Sequence, residues 1–247
     1  MILLVDAGNT RVKWALAFAD APAGAWLEHG AVLHADLDGL AERWAASGAA
    51  RALVSNVAGP DLRARIDAVL PAGIDVEWFA STGQRAGISN GYREPGKLGC
   101  DRFAAAIGAR ALRPRQDLIV ATCGTATTVD AVSADGRFVG GMILPGLALM
   151  ASSLASNTAQ LPQIAPGAMA RLFGDNTNDA ILAGVLSAQA GAIERAVAGH
   201  RAAACIVSGG AAPYIAPALK ITHQVVDNIV LVGLHAAAAP TMEEPRC

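Results

Sequence analysis

The chain has 247 residues, of which 53% are hydrophobic and 16% charged, and its formal net charge is −2 at pH 7. Because it has no cluster of Lys and Arg, the composition argues against nucleic acid or an anionic membrane surface as a partner. Apolar runs are interrupted before they reach the roughly 20 residues that a membrane-spanning helix needs. No secretion signal is evident. The 4 scattered cysteines therefore predict reduced thiols in a cytoplasmic protein.

The first half of the chain alternates strand patterns with helix patterns. Strands are predicted at 2–5, 12–18, 26–34, 51–55 and 76–79, and helices at 38–46, 61–70 and 101–112. The segment 92–99 contains a Pro-Gly turn signal and is predicted to be an irregular loop that leads into the last of these helices.

The pattern then restarts. Strands are predicted at 117–121, 126–132, 136–144, 204–208 and 224–226, and helices at 146–156, 179–197, 212–219 and 228–238. This second series repeats the order of the first, which indicates a duplicated chain.

Two local matches support the duplication. Residues 5–10 align with 121–126, and residues 53–56 align with 206–209, in the same order in both halves. Two facing lobes create a cleft in which ligands tend to bind. The sequence therefore predicts an α/β fold of two homologous lobes with a ligand cleft between them, formed by residues 1–115 and 116–247.

The turn between the first two strands, in the stretch VDAGNTRVK, allows two interpretations. A Gly-Asn pair between alternating apolar residues is typical of a tight hairpin, in which Asp6 would bond its own turn. Glycine amides and hydroxyls at a turn can also bind a phosphate, and Lys13 on the next strand could supply a cation. Asp6 would repel a bare phosphate, so this second interpretation requires a cation such as Mg²⁺ between them. The similar turn at 124–128 favours phosphate binding.

Asp101 stands at the predicted start of a helix, in the stretch GYREPGKLGCDRFAAAIGAR. Aspartate is a good helix N-cap, worth about 1 kcal/mol. A carboxylate beside a cleft can also act as a general base, and Arg102 next to it could hold an anionic substrate. The two interpretations are compatible because a helix N-terminus also favours anions.

Taken in order, four parts of the chain resemble the motifs of the type III pantothenate kinases. They are DAGNTRVK, GYREPGKLGCDR, CGTATTVDAV with GGMILPG, and NTNDAILAG, and the likeness spans residues 6–210. Some members of that family have been described as Bvg accessory factors. The family belongs to the superfamily of acetate and sugar kinases, heat-shock chaperones and actin, so the resemblance implies two duplicated ribonuclease H-like (actin-like ATPase) lobes with a nucleotide cleft between them.

The resemblance implies ATP-dependent phosphorylation of pantothenate to 4′-phosphopantothenate, the first step of coenzyme A biosynthesis. It further implies Mg²⁺ with ATP, a monovalent cation (K⁺ or NH₄⁺), and a homodimer whose subunits share the substrate pocket. Two alternatives stay open at this point. One is a non-catalytic accessory factor that modulates transcription, and the other is a different small-molecule kinase or phosphatase of the superfamily.

Residue by residue, the resemblance makes Asp101 the proton acceptor and places Asp6 beside the Mg²⁺ of ATP. The residues implied to bind ATP and its phosphates are Asp6, Ala7, Gly8, Asn9, Thr10, Arg11, Val12, Lys13, Gly124 and Thr125. Those implied to bind pantothenate are Tyr92, Gly99, Cys100, Asp101, Arg102 and Thr177, the last of which could instead be a helix N-cap.

The chain departs from the family at one position. The family commonly has aspartate in the second turn, where it binds the monovalent cation, whereas this chain has Thr122. Because a hydroxyl is a neutral ligand, the sequence predicts that cation binding at Thr122 is weakened or lost.

Overall fold

The structure, a computed structural model, describes residues 1–167 and 171–239 and divides into two compact units. The first unit contains residues 1–112 and the described residues from Val230 onward, and the second runs from Arg113 to Ile229. The change of unit after residue 112 lies close to the predicted lobe boundary at 115. The predicted second lobe differs in its last helix, which belongs to the first unit from Val230 onward. Residues 168–170 and 240–247 lie outside the described part.

The predicted elements follow one another in the predicted order, and the structure adds a short hairpin at residues 84–90. The strands are β1 (Ile2–Ala7), β2 (Arg11–Ala17), β3 (Glu28–Leu33), β4 (Arg51–Asn56), β5 (Asp75–Trp78), β6 (Gln84–Arg85), β7 (Ile88–Asn90), β8 (Leu118–Cys123), β9 (Ala126–Val132), β10 (Arg137–Pro145), β11 (Ala204–Ser208) and β12 (Gln224–Val225). The α-helices are α1 (Ala41–Ala46), α2 (Pro60–Val69), α3 (Cys100–Leu112), α4 (Leu147–Asn157), α5 (Thr177–His200), α6 (Ala212–Ile215) and α7 (Ile229–Ala238).

The two units contain the same sheet. In the first, the strand order is β3-β2-β1-β4-β5, with β1 to β3 antiparallel and with β4 and β5 parallel to β1. In the second, the order β10-β9-β8-β11-β12 has the same directions. The registers also correspond, because Asp6 lies opposite Ser55 and Thr122 opposite Ser208. These are the pairs that the two sequence matches align, so the predicted duplication is confirmed.

One face of the first sheet packs against α1 and α2. Alternate strand residues such as Val5, Trp14 and Val54 point to this face and are fully or almost fully buried. Trp14 meets Trp44 of α1 edge to face, with ring centroids 6.4 Å apart. The helix predicted at 38–46 begins earlier, at His34. Its first part, His34–Leu40, is a 3₁₀ helix, because Asp and Gly in this stretch disfavour a regular α-helix.

In the first unit, α7 packs closely against α3. A Cβ at Gly233 would overlap the backbone carbonyl of Ala104, so only glycine permits this approach. His235 of α7 places Nε2 2.8 Å from the carbonyl oxygen of Phe18 and accepts the Gly24 N–H through Nδ1 at 3.3 Å. These contacts explain why α7 belongs to the first unit although it follows the second in sequence.

The second sheet is covered on one face by α5. By length and composition α5 could cross a membrane. The interrupted apolar runs of the sequence predict no stretch of this kind. Its side chains Val185, Leu186 and Ile193 pack into the same core as Ile119 and other strand residues. A single apolar helix of this length also occurs in the cores of globular domains, and the buried side chains of α5 pack against the sheet.

Candidate active site

The carboxyl end of the first sheet gathers polar residues from distant parts of the chain. Asp6 is 8% exposed and lies opposite Ser55, which is fully buried. The hydroxyl of Ser55 lies 3.3 Å from the sulfur of Cys100, which also donates to the carbonyl of Asn56 at 3.5 Å. The start of α3, including Asp101, is therefore held beside the end of the strand that carries Asp6.

Asp101 is the second residue of α3, so its interpretation as the N-cap is wrong by two positions. The first helical hydrogen bond runs from the N–H of Phe103 to the carbonyl of Gly99 at 3.0 Å. The Oδ1 atom of Asp101 accepts the N–H of Arg102 at 2.8 Å, and this N–H would otherwise lack a helical partner. A Cβ at Gly99 would lie only 2.6 Å from Oδ1, so glycine at this position makes room for the carboxylate.

The environment of Asp101 favours a proton-accepting role. Burial raises the pKa of the Asp101 carboxyl, and the N–H and the positive charge of Arg102 offset part of this increase. A carboxylate with a raised pKa is a stronger base, which suits the removal of a proton from a hydroxyl.

We expect the activity to depend on the ionisation of Asp101. The base works only when deprotonated, so kcat/KM should fall as the pH decreases through the raised pKa of Asp101. The acid limb of the pH profile is therefore expected at a higher pH than an exposed aspartate would give. A profile of kcat/KM against pH measures this, and an acid limb at or below the ordinary aspartate range would contradict it.

Two residues implied to bind pantothenate, Tyr92 and Arg102, lie together. Arg102 is only 6% exposed, and its guanidinium donates to the Tyr92 hydroxyl at 2.8 Å. The loop that carries Tyr92 is shaped by Asn90, whose Oδ1 accepts the Tyr92 N–H at 3.1 Å. The pair is thus preorganised within the first unit.

The first turn is a hairpin, as the simpler interpretation of the sequence predicted. The N–H of Gly8 donates to the carbonyl of Arg11 at 3.1 Å, and His34 Nε2 lies 2.8 Å from the Gly8 carbonyl oxygen. The Gly8 amide is therefore used inside the turn in this structure, and the binding of ATP phosphates by Gly8 stays a prediction. Asn9 and Arg11 remain exposed at the turn, and Lys13 lies opposite Asp6 on β2.

The second turn is closed in a similar way, by a 3.0 Å hydrogen bond from the Gly124 N–H to the Ala126 carbonyl. Thr122 and Thr128 are cross-strand partners at its base. Both Oγ1 atoms are buried and have no hydrogen-bond partner among the described residues. Buried hydroxyls are normally satisfied, so these two oxygens are suited to a ligand from outside the chain.

Thr177 lies in the second unit at the first position of α5. The N-cap is Asn176, whose Oδ1 accepts the Asp179 N–H at 3.0 Å, so the alternative interpretation of Thr177 as the cap is wrong. Thr177 lines an open cavity of about 880 Å³ that is bordered mainly by small and apolar residues of α4 and α5, including Met150, Leu154, Ala180 and Gly184.

Three residues of these sites have roles that the sequence does not predict. Ser55 carries a signal, because a Val-Ser pair occurs in the matched segments of both halves, but that match indicates only the duplication. His34 carries no such signal, because no sequence feature indicates that a histidine 26 residues away contacts the Gly8 carbonyl of the turn. Thr128 was noted as part of the second turn and not as the cross-strand partner of Thr122.

Known proteins resemble this chain over its whole length. A family model described as type III pantothenate kinase matches residues 2–199. A type III pantothenate kinase from Herminiimonas arsenicoxydans is 55% identical over 260 aligned positions, which cover 100% of both chains.

Two solved structures share the fold. A Baf family protein from Campylobacter jejuni, described as a transcriptional activator, has a TM-score of 0.62 at 19% identity and 94% coverage of both chains. A protein from Sinorhizobium meliloti, described as a 2-dehydro-3-deoxygalactonokinase, has a TM-score of 0.59 at 17% identity, covering 96% of this chain and 98% of its own. At these identities the likeness concerns the fold, which is that of the actin-like ATPases and sugar kinases.

Proposed function

Because the chain belongs to the type III pantothenate kinase family, we propose that it phosphorylates pantothenate with ATP and that Asp101 accepts the proton of the reacting hydroxyl. The product is 4′-phosphopantothenate, and the reaction is the first step of coenzyme A biosynthesis. The observation that carries the assignment of Asp101 is its position: a largely buried carboxylate with a raised pKa, held beside the strand end that carries Asp6.

The mechanism relies on positioning and charge neutralisation more than on covalent chemistry. Asp101 accepts the hydroxyl proton as the oxygen attacks the terminal phosphorus of ATP, and the bond from that phosphorus to the bridging oxygen breaks, which releases ADP. Arg102 and Tyr92, already paired, orient pantothenate, with the positive charge of Arg102 directed to the pantothenate carboxylate. The residues from Asp6 to Lys13, together with Gly124 and Thr125, bind the phosphates, and Thr177 contributes to the pantothenate site.

The two turn glycines support the phosphate assignment. Neither Gly8 nor Gly124 has a positive φ, and a Cβ at either position would meet only an ordinary contact at 3.5 Å. The fold of the chain itself would therefore accept alanine at both positions. Glycine at both turns is explained by the close approach of a ligand to the backbone.

A divalent cation accompanies ATP in kinases of this kind, and we assign Mg²⁺ to the side of Asp6. A carboxylate oxygen is a ligand that Mg²⁺ prefers, so the residue fits the ion. Among the described residues no group of three His, Cys, Asp or Glu side chains could hold a metal. The ion would therefore depend on the phosphate oxygens of ATP for most of its ligands, and it would neutralise their charge.

The monovalent cation fits the second turn less well. Thr122 and Thr128 offer two neutral oxygens and no carboxylate at this position, so K⁺ or NH₄⁺ should bind weakly. We expect the wild-type enzyme to respond little to K⁺, and Thr122→Asp to become K⁺-responsive. Activity and thermal unfolding are both measured with K⁺ and with Na⁺ as the ionic-strength control. A wild-type enzyme that is inactive without K⁺ and saturates tightly would contradict this.

The apolar groove that Thr177 lines is proposed to be covered by a second copy of the chain. Along α5, Ala180 and Gly184 are one helical turn apart, and nothing lies within 4 Å of a Cβ placed at Gly184. Such a face allows close packing of another helix, and the partner would complete the pantothenate pocket beside Thr177. Sedimentation velocity tests the dimer.

We also propose a cytoplasmic location, with neither membrane nor nucleic acid as a partner.

The function is tested by a coupled assay of the purified protein with pantothenate, ATP and Mg²⁺. Formation of 4′-phosphopantothenate together with ADP is expected. ATP or nucleotide hydrolysis without a requirement for pantothenate would indicate another enzyme of the superfamily, and the absence of any turnover would favour the accessory-factor alternative.

A further inference from the structure

A buried serine lies at the end of the fourth strand of each repeat, as the last residue of β11 and the last but one of β4. Ser55 of β4 is 0% exposed and Ser208 of β11 is 1% exposed, in strands that are otherwise apolar at their buried positions. A buried hydroxyl costs free energy unless it is hydrogen-bonded. Each serine is therefore expected to have a specific hydrogen-bond partner, and these partners indicate the structural role of the serine.

In both repeats the partner is the first residue of a helix. Ser208 accepts the N–H of Ile229, the first residue of α7, at 3.1 Å and donates to the carbonyl of Asp227 at 3.4 Å. Ser55 instead contacts the Cys100 side chain, at the first residue of α3, with 3.3 Å between oxygen and sulfur. The two serines thus have one structural role, which is to attach a helix start to the end of the sheet.

In the first repeat this attachment lies next to the proposed base. Cys100 makes a second contact to the carbonyl of Asn56 at 3.5 Å, so its sulfur is held by two consecutive residues of the strand end. Burial raises the pKa of the Cys100 thiol, which keeps it protonated and able to donate. Asp101 follows directly, and its backbone cannot move without displacing this sulfur.

We infer that Ser55 and Cys100 are positioning residues, which hold the start of α3 so that the carboxylate of Asp101 stays aligned with the reacting hydroxyl. The inference rests on the proposed role of Asp101 as the base. The family resemblance implies that Cys100 binds pantothenate, but the effect inferred here requires no contact of either side chain with the substrate, because it is transmitted through one peptide unit. A shift of about 1 Å in a catalytic group can cost on the order of 100-fold in rate, so a modest loosening should be measurable.

The test compares kcat and KM in a small set of variants. Ser55→Ala and Cys100→Ala are each expected to lower kcat about tenfold while the KM for ATP stays near its wild-type value. The double variant should be little worse than Cys100→Ala alone, since that variant already removes the contact with Ser55. Cys100→Ser supplies a hydroxyl in place of the thiol, which can pair with Ser55, so its kcat should be close to that of the wild type. Cys205→Ala, which removes a buried sulfur from the core of the second unit, is the matched control.

The outcomes separate this inference from the proposed function. If Asp101→Asn remains active, the assignment of the base fails and the inference fails with it. If Asp101→Asn is inactive but Cys100→Ala keeps the kcat of Cys205→Ala, only the positioning role is rejected. It is also rejected if Cys100→Ser is no better than Cys100→Ala at equal thermal stability, or if the two single losses multiply in the double variant.

Discussion

Replacing Asp101 by Asn is expected to lower kcat by about 10²–10⁴-fold, the usual contribution of a positioned general base. The amide is nearly isosteric with the carboxylate, and its oxygen can still accept the Arg102 N–H that Asp101 accepts at 2.8 Å. Folding should therefore be preserved, and substrate binding should change less than turnover. Steady-state kinetics with circular dichroism and thermal unfolding measure the two effects separately.

Asp61 supplies the matched control. It also lies in the first turn of a helix, α2, but it is exposed and has no proposed part in catalysis or substrate binding. Asp61→Asn should leave kcat unchanged. Near-normal turnover in Asp101→Asn would reject Asp101 as the base, and an equal loss in both variants would point to a general effect of helix N-terminal charge.

Gly99→Ala is expected to lower kcat by about 100-fold with little loss of stability. The new methyl group would lie 2.6 Å from Oδ1 of Asp101, closer than nonbonded atoms allow. Because the obstructing atom is the end of a side chain, the carboxylate can turn away while the backbone stays in place. A displaced base costs rate more than it costs folding free energy.

Gly96→Ala is the companion variant for this experiment. Gly96 precedes the same helix, and nothing lies within 4 Å of a Cβ placed there. Its kcat is expected to match the wild type. If Gly99→Ala also kept wild-type turnover, catalysis would not require the position of the Asp101 carboxylate that the structure shows. The proposed geometry of the base would then be wrong.

The repeated sheet could be predicted because its signals are local and occur twice. Each strand is an apolar segment bounded by small or polar residues, and the two matched segments determine how the halves correspond. The hairpin of β6 and β7 was not predicted. Its turn places Ala86 and Gly87 at positive φ, 46° and 77°, and alanine is not a residue that signals this conformation.

The site was predictable as a set of residues but not as a geometry. The motifs identified Asp6 and Asp101, and local patterns placed one at a strand end and the other at a helix start. The contact that joins them passes through Ser55 and Cys100, which are 45 residues apart, and depends on strand register and helix packing. The same packing starts α3 at Cys100, which moves Asp101 from the predicted cap into the first turn.

The return of α7 to the first unit has a consequence for how the protein is made. The first unit lacks the helix that packs on α3 until the ribosome has synthesised the whole of the second unit. During that interval the face of α3 around Ala104, and the carbonyl of Phe18 that His235 later contacts, lack their native cover. The amino-terminal unit therefore cannot complete its folding as an independent domain during translation, although domains commonly do so. Its final assembly depends on the synthesis of Gly233 and His235, more than 100 residues after α3 ends.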